Sequence, residues 1–408
     1  MEKIKVNDKE FVSYVNKDKE VIIQIFSGGF KENNVKYDEI EKKLNPLLEK
    51  IKISKVIMGW SLDKDIYLKT KELLNKYNVE YYLWIPVFSE IGLLKPANLL
   101  VDFNGKQIKS YSLQEGENFE FYCPNDPLNI KSFIEVYEEN FSDIDFDGVF
   151  LDKIRYGSFS NSLNGVFNCF CPHCLNKYEK LGIDIGLIQT EMNKVANGEA
   201  GYNKEPLEIV EYNNGEYKFK NEIWEKYFHS KSENVYEALQ KLKVYFKEKN
   251  MKIGIDTFSP FMSYFSGQDM NKLKNIADFI KPMMYRITQA PAGLPFEYDN
   301  FIKETTNEEF NIVKSKFNKI IKCEDYNKNS FDINFVQKEL NFMINLGVDI
   351  YAGIEINRKE SIAEVYPDYI AENLAHLGET KIKGYVLSWD LLSAPEENIE
   401  EIIRHFIR

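Results

Sequence analysis

Eight short runs of β-branched and aromatic residues recur along this chain, and amphipathic stretches with helical spacing lie between them. The runs are VIIQIFSGG (21–29), KVIMGWS (55–61), YYLWIPVFSE (81–90), DGVFLDKIR (147–155), KIGIDTFSP (252–260), FIKPMMYRI (279–287), IYAGIEINR (350–358) and GYVLSWD (384–390). The stretches between them include YDEIEKKLNPLLEKI and NVYEALQKLKVYFKEKN, where apolar residues return every three or four positions. Strands alternating with helices imply a parallel sheet, and eight is the number that closes a (β/α)8 TIM barrel. An open, doubly wound sheet is the other arrangement. The barrel is favoured because several runs end in polar or aromatic residues, where a barrel keeps its chemistry. No repeat and no low-complexity linker divides the chain, so residues 1–408 read as a single barrel domain.

Composition narrows the function. A net charge of −12 argues against nucleic acid or an anionic membrane as the main partner. No apolar run approaches the roughly 18 residues of a membrane span, and the N-terminal MEKIKVNDKEF lacks a signal-peptide core. A cytoplasmic location is the default expectation, and a homo-oligomer is compatible with it. Five cysteines, an odd number, then favour thiols or metal ligands over disulfides.

Two connections are too long for plain turns: residues 91–130 after the third run and the insertion at about 156–221 after the fourth. In a barrel such loops lie on the catalytic face. The second carries Cys169-x-Cys171-x-x-Cys174, then a helical piece, then a polar stretch with the spacing of a hairpin. Three thiolates on one tight loop supply most of a tetrahedral zinc site. Cys123, His173 and Cys323 are the candidates for the fourth ligand. Cys123 is preferred, because it ends the neighbouring loop on the same barrel face. Four cysteines around zinc leave no open position for water, so the expected Zn2+ is structural.

One cysteine in the loop after strand three, followed by Cys-x-Cys-x-x-Cys after strand four, resembles the structural zinc site of glycoside hydrolase family 42 β-galactosidases. The DGVFLD…CFCPHC arrangement is also similar to several glycosyl-hydrolase-like barrel families. The specific resemblance covers Cys123 to Cys174 and implies zinc held by Cys123, Cys169, Cys171 and Cys174. It does not transfer that family's catalytic acid: strand four ends Asp152-Lys153 here, where the family has Asn-Glu.

Glycoside hydrolysis needs a proton donor and an ionised carboxylate flanking the scissile bond. Asp152, Asp256, Glu355 and Asp390 stand at the ends of runs four, five, seven and eight. By alternation, Tyr351, Gly353 and Glu355 share one face, and so do Phe150 and Asp152. Asp152 as acid/base with Glu355 as nucleophile is the favoured catalytic pair, strands four and seven being taken to face one another across the barrel. That pairing resembles the retaining barrel glycosidases. Asp256 and Asp390 are candidate binders of sugar hydroxyls. The aromatic rings of Trp60, Trp84, Tyr156, Tyr285 and Trp389 are candidate platforms for sugar C–H faces. Arg155 and Arg286 are candidate clamps for an anionic group.

The expected protein is therefore a glycosidase of carbohydrate metabolism acting on a small oligosaccharide or glycoside. Two alternatives use the same residues. In one, the barrel binds carbohydrate without cleaving it. In the other, DIDFDGVFLD with the later PMMYRI resembles the chitinase-type pattern, which implies Asp152 as acid and Tyr285 steadying the substrate's own acetamido group.

Overall fold

The computed structural model describes residues 3–6, 9–12, 18–30, 35–90, 92–108, 111–112, 118–199, 205–306, 310–323 and 330–407. Its centre is a closed barrel of eight parallel strands. These are β1 (Glu20–Phe26), β2 (Ile53–Gly59), β3 (Glu80–Pro86), β4 (Gly148–Asp152), β5 (Lys252–Phe258), β6 (Phe279–Met283), β7 (Asp349–Glu355) and β8 (Gly384–Ser388). They follow one another round the barrel in chain order, so each of the eight runs supplies one stave. The ring also places β8, rather than β7, directly opposite β4.

Each strand stops short of its run's C-terminal end. Those last residues leave the ladder and form the mouth, which is why the runs ended in polar and aromatic groups. Inside the barrel, Ile22, Ile57, Tyr82, Trp84, Phe150, Phe279, Tyr351 and Val386 form an inner core. The alternate residues pack outward against helices, forming a second, larger core. The helix Tyr37–Lys50 shows how: Ile40, Leu44, Leu47 and Leu48 are its buried stripe. Two inner glycines are required by close approach. A Cβ at Gly148 would lie 2.4 Å from the Tyr82 ring, and one at Gly353 would lie 2.5 Å from Lys281 Cε.

The two long connections build the rim. The expected helical piece after the cysteines is two helices, Pro172–Lys180 and Ile185–Ala196, separated at Gly182, whose φ of 66° ends the first. The expected hairpin pairs Ile209–Asn213 with Glu216–Phe219 across Asn214-Gly215. It docks beside the β5 loop: Tyr217 donates to the Phe261 carbonyl, and Tyr212 donates to Glu339 on the helix Ile333–Ile344. Among the described residues, no helix is long and apolar enough to cross a membrane.

Candidate active site and cysteine centre

Strand register brings three charged side chains to one level at the barrel mouth. Leu151 of β4 pairs with Ile255 of β5, so Asp152 and Asp256 come next on neighbouring strands. Asp256 in turn pairs with Lys281 of β6. Asp152 Oδ2 accepts from the Trp84 indole at 3.0 Å, and its Oδ1 accepts from the backbone N–H of Lys153. Lys153 has a left-handed backbone, φ 47°, unusual for a residue that is not glycine. Its ammonium lies 2.7 Å from Glu90, over the rings of Trp60 and Phe119.

Beside Asp152, on the neighbouring strands, lies a buried polar cluster. Lys281 Nζ donates to Asp256 Oδ2 at 2.8 Å, to the Tyr285 hydroxyl at 2.7 Å and to Gln24 Oε1 at 3.1 Å. Ser388 also donates to Gln24 Oε1. Burial pushes Asp256 up to about 7; Lys281 pulls it down, and the nearby Asp152 carboxylate raises it again. Burial works against the charge of Lys281, but Asp256 and Tyr285 prevail and hold it above the ordinary lysine range. Two buried atoms of the cluster, Gln24 Nε2 and Asp256 Oδ1, have no partner among the described residues.

The aromatic candidates divide. Trp60 packs edge-on against Phe26 and Trp84 and stacks on Phe30, while Trp389 lies against Tyr285. These rings wall the mouth. Tyr156 is fully buried and turned toward the cysteines: Asn234 donates to its hydroxyl and also to Cys174 Sγ.

The charged candidates also take different partners. Arg155 is buried with its guanidinium over Phe258, in the field of Glu297, Asp152 and Asp256, and burial lowers its pKa. Arg286 is engaged by Glu372 at 2.8 Å and by the Phe331 carbonyl. Asp390 caps a turn, accepting from Leu392 N, Ser393 Oγ and, on β1, Phe26 N. Glu355 is fully buried: Oε1 accepts from Ile287 N and Thr288 Oγ1, each at 3.1 Å, and Oε2 from Tyr369 at 2.6 Å. Burial raises its pKa, and these donors oppose the rise.

Gln24 and Lys281 did not stand out in the sequence, and neither did Asn357, a buried amide with both polar atoms unpartnered among the described residues. The only sequence signal was position, since alternation places Gln24 and Lys281 on the inner faces of β1 and β6.

The cysteine expectation is met in its geometry. Cys123, Cys169, Cys171 and Cys174 are buried, with all four sulfurs within 4.8 Å of one another. Cys123 Sγ lies 3.6 Å from Cys171 Sγ and 3.5 Å from Cys174 Sγ. A tetrahedral zinc with bonds of about 2.3 Å requires sulfurs about 3.8 Å apart, so the set can hold one such ion. The Val101 N–H points at Cys169 Sγ, and the Asn125 and Asn234 amides point at Cys174 Sγ, donors of the kind that steady thiolate ligands. The neighbouring Asp126 accepts from Asn98 and lies 3.6 Å from His173 Nε2.

No family model matches the chain, and no curated protein matches its sequence. Solved structures do. The PgaB (BpsB) glycoside hydrolase domain from Bordetella bronchiseptica superposes with a TM-score of 0.57 at 12% identity, covering 95% of this chain and 99% of that one. A β-galactosidase from the psychrophilic Marinomonas ef1 gives 0.54 at 11% identity, covering 94% of this chain and 58% of that one. At such identities the likeness is one of fold. The chain is a (β/α)8 barrel of the kind seen in glycoside hydrolases, with a four-cysteine centre on its rim.

Proposed function

We propose that this protein is a glycosidase in which Asp152 protonates the departing glycosidic oxygen. The observation that carries this reading is the Asp152–Asp256–Lys281–Tyr285 constellation, set in one barrel mouth walled by Trp60, Trp84 and Trp389. Its substrate is a small oligosaccharide or glycoside. Clustered thiols at Cys123, Cys169, Cys171 and Cys174 suit the reducing interior of a cell, which keeps a cytoplasmic location as part of the proposal.

Two routes to the new bond use Asp152 as acid. In a retaining route Glu355 attacks the anomeric carbon, yet both of its oxygens are already engaged by protein donors. In a substrate-assisted route the carbonyl oxygen of a 2-acetamido group attacks, the glycosidic C–O bond breaks, and Asp152 gives its proton to the leaving oxygen. Water then opens the cyclic intermediate and returns a proton to Asp152. The second route is favoured, because Asp256 Oδ1 has no donor among the described residues and can accept the acetamido N–H, and Tyr285 stands beside it. Arg155 and Lys153 help to set the field around Asp152 rather than act on substrate.

Paired aryl glycosides that differ only in a 2-acetamido or 2-hydroxyl group test this. Cleavage of the acetamido member alone is expected. Equal cleavage of both would remove the substrate-assisted route, and cleavage of neither by active-site-intact protein, across a broad glycoside panel, would remove the glycosidase reading.

In the rim centre, zinc bound by Cys123, Cys169, Cys171 and Cys174 would tie the loops after β3 and β4 together. It would supply cross-linking strength and no chemistry to the mouth.

A further inference from the structure

Lys281 has three N–H donors, and each has a partner: Gln24 Oε1, Asp256 Oδ2 and the Tyr285 oxygen. Because Tyr285 accepts from the ammonium, its own proton must turn away from Lys281. Gln24 Oε1 takes two donors, from Lys281 and Ser388, which fixes which end of that amide is oxygen. The amide Nε2 is then left facing no protein acceptor, and Asp256 Oδ1 no protein donor, among the described residues. Space for this arrangement is also built in. Gly353 is the neighbour on β7, and any side chain there would collide with the lysine. A buried ammonium is costly unless fully paired, so a lysine at this place reads as a device with a task.

We propose that Lys281 is the positioning residue of the mouth: its three bonds fix Gln24, Asp256 and Tyr285 so that one amide donor and one carboxylate oxygen remain for the substrate. The complement this writes is a sugar substituent carrying both an acceptor and a donor. The inference rests on the mouth being the substrate site, and it adds a residue that touches no reacting atom. Lys281 acts through Tyr285 and Asp256.

A double-mutant cycle on Lys281→Met and Tyr285→Phe tests it, using a glycoside the wild type cleaves. Each single change is expected to lower kcat/KM by about 30-fold or more, with the double variant no worse than the poorer single by more than about threefold. Additive losses would overturn the proposal, since two independently structural residues behave that way. A second arm needs no turnover. Carboxyl NMR should show Asp256 titrating at least about one pH unit higher in Lys281→Met, because the lysine's attraction is gone; an unchanged midpoint overturns the proposal. If Lys281→Met does not fold, Lys281→Arg carries the kinetic cycle in its place, keeping the charge but not the three-way geometry, and a wild-type rate in it overturns the proposal. Asp152→Asn separates the two failures. Were it to keep its rate, the assignment of Asp152 as the acid would fall while the NMR arm still decided the role of Lys281.

Discussion

The Trp84 indole N–H donates to Asp152 Oδ2 at 3.0 Å, joining neighbouring strands at the barrel mouth. Both side chains are largely buried, so the bond fixes the carboxyl group in a dry, aromatic setting. Asp152→Asn keeps the shape and the indole's acceptor but cannot give up a proton. It should lose at least about 100-fold in turnover, the scale expected of a lost general acid. Trp84→Phe removes only the orienting bond and should cost about tenfold. Hydrolysis rates with circular-dichroism melts check both. Wild-type turnover in Asp152→Asn would end the assignment.

The barrel was legible because burial on both faces of a parallel strand forces near-continuous apolar runs, and eight of them survive in the sequence. Asp152 was legible as a charge directly after such a run. The hub was not. Lys281 sits inside FIKPMMYRI and meets Gln24, 257 positions earlier, only because the sheet closes. Strand-end charges mislead for a related reason: an acid that caps a turn and one that holds a sugar occupy the same sequence position. For Asp390 a cue was present, since Asp-Leu-Leu-Ser is the spacing of a capped turn. For Arg286 the partner Glu372 lies on a distant helix, and spacing carries no trace of it.

Glu355 distinguishes the two routes. Its carboxylate gathers three donors from the β6 loop and from Tyr369, on the helix Pro367–Gly378. Glu355→Gln puts an N–H where an acceptor was, leaving one of those donors unmet at about 1–3 kcal/mol. A lower melting temperature is expected, with turnover within about tenfold of wild type, whereas a lost nucleophile costs on the order of a thousandfold or more. A thousandfold loss with an unchanged melt would restore the retaining pair.

The cysteine centre predicts about one zinc per chain in protein purified without chelator, read by elemental analysis. Cys123→Ser removes the ligand that reaches across from the β3 loop. It should release the metal and lower the melting temperature by roughly 10 °C or more, as loss of a structural ion does. Metal-free protein with a wild-type melt would refute the clip.

Glu339 ties the hairpin to the barrel: it accepts from Tyr212 and from Phe261 N while fully buried. Burial pushes it up to about 7, although those donors pull it down. A carboxyl with a raised folded pKa binds its proton more tightly in the folded state. Its stabilising contribution is therefore complete below the unfolded value near 4 and is lost as pH rises through about 7. Asp256, also pushed up to about 7, acts in the same direction over the same window. Thermal melts should accordingly fall between pH 5 and pH 8, by an amount on the order of 1–3 kcal/mol for Glu339. Glu339→Gln cannot ionise and should flatten part of that slope, leaving the share due to Asp256. A variant with the full wild-type slope would show that Glu339 stays ionised in the folded protein, and that its contacts with the hairpin do not depend on the proton.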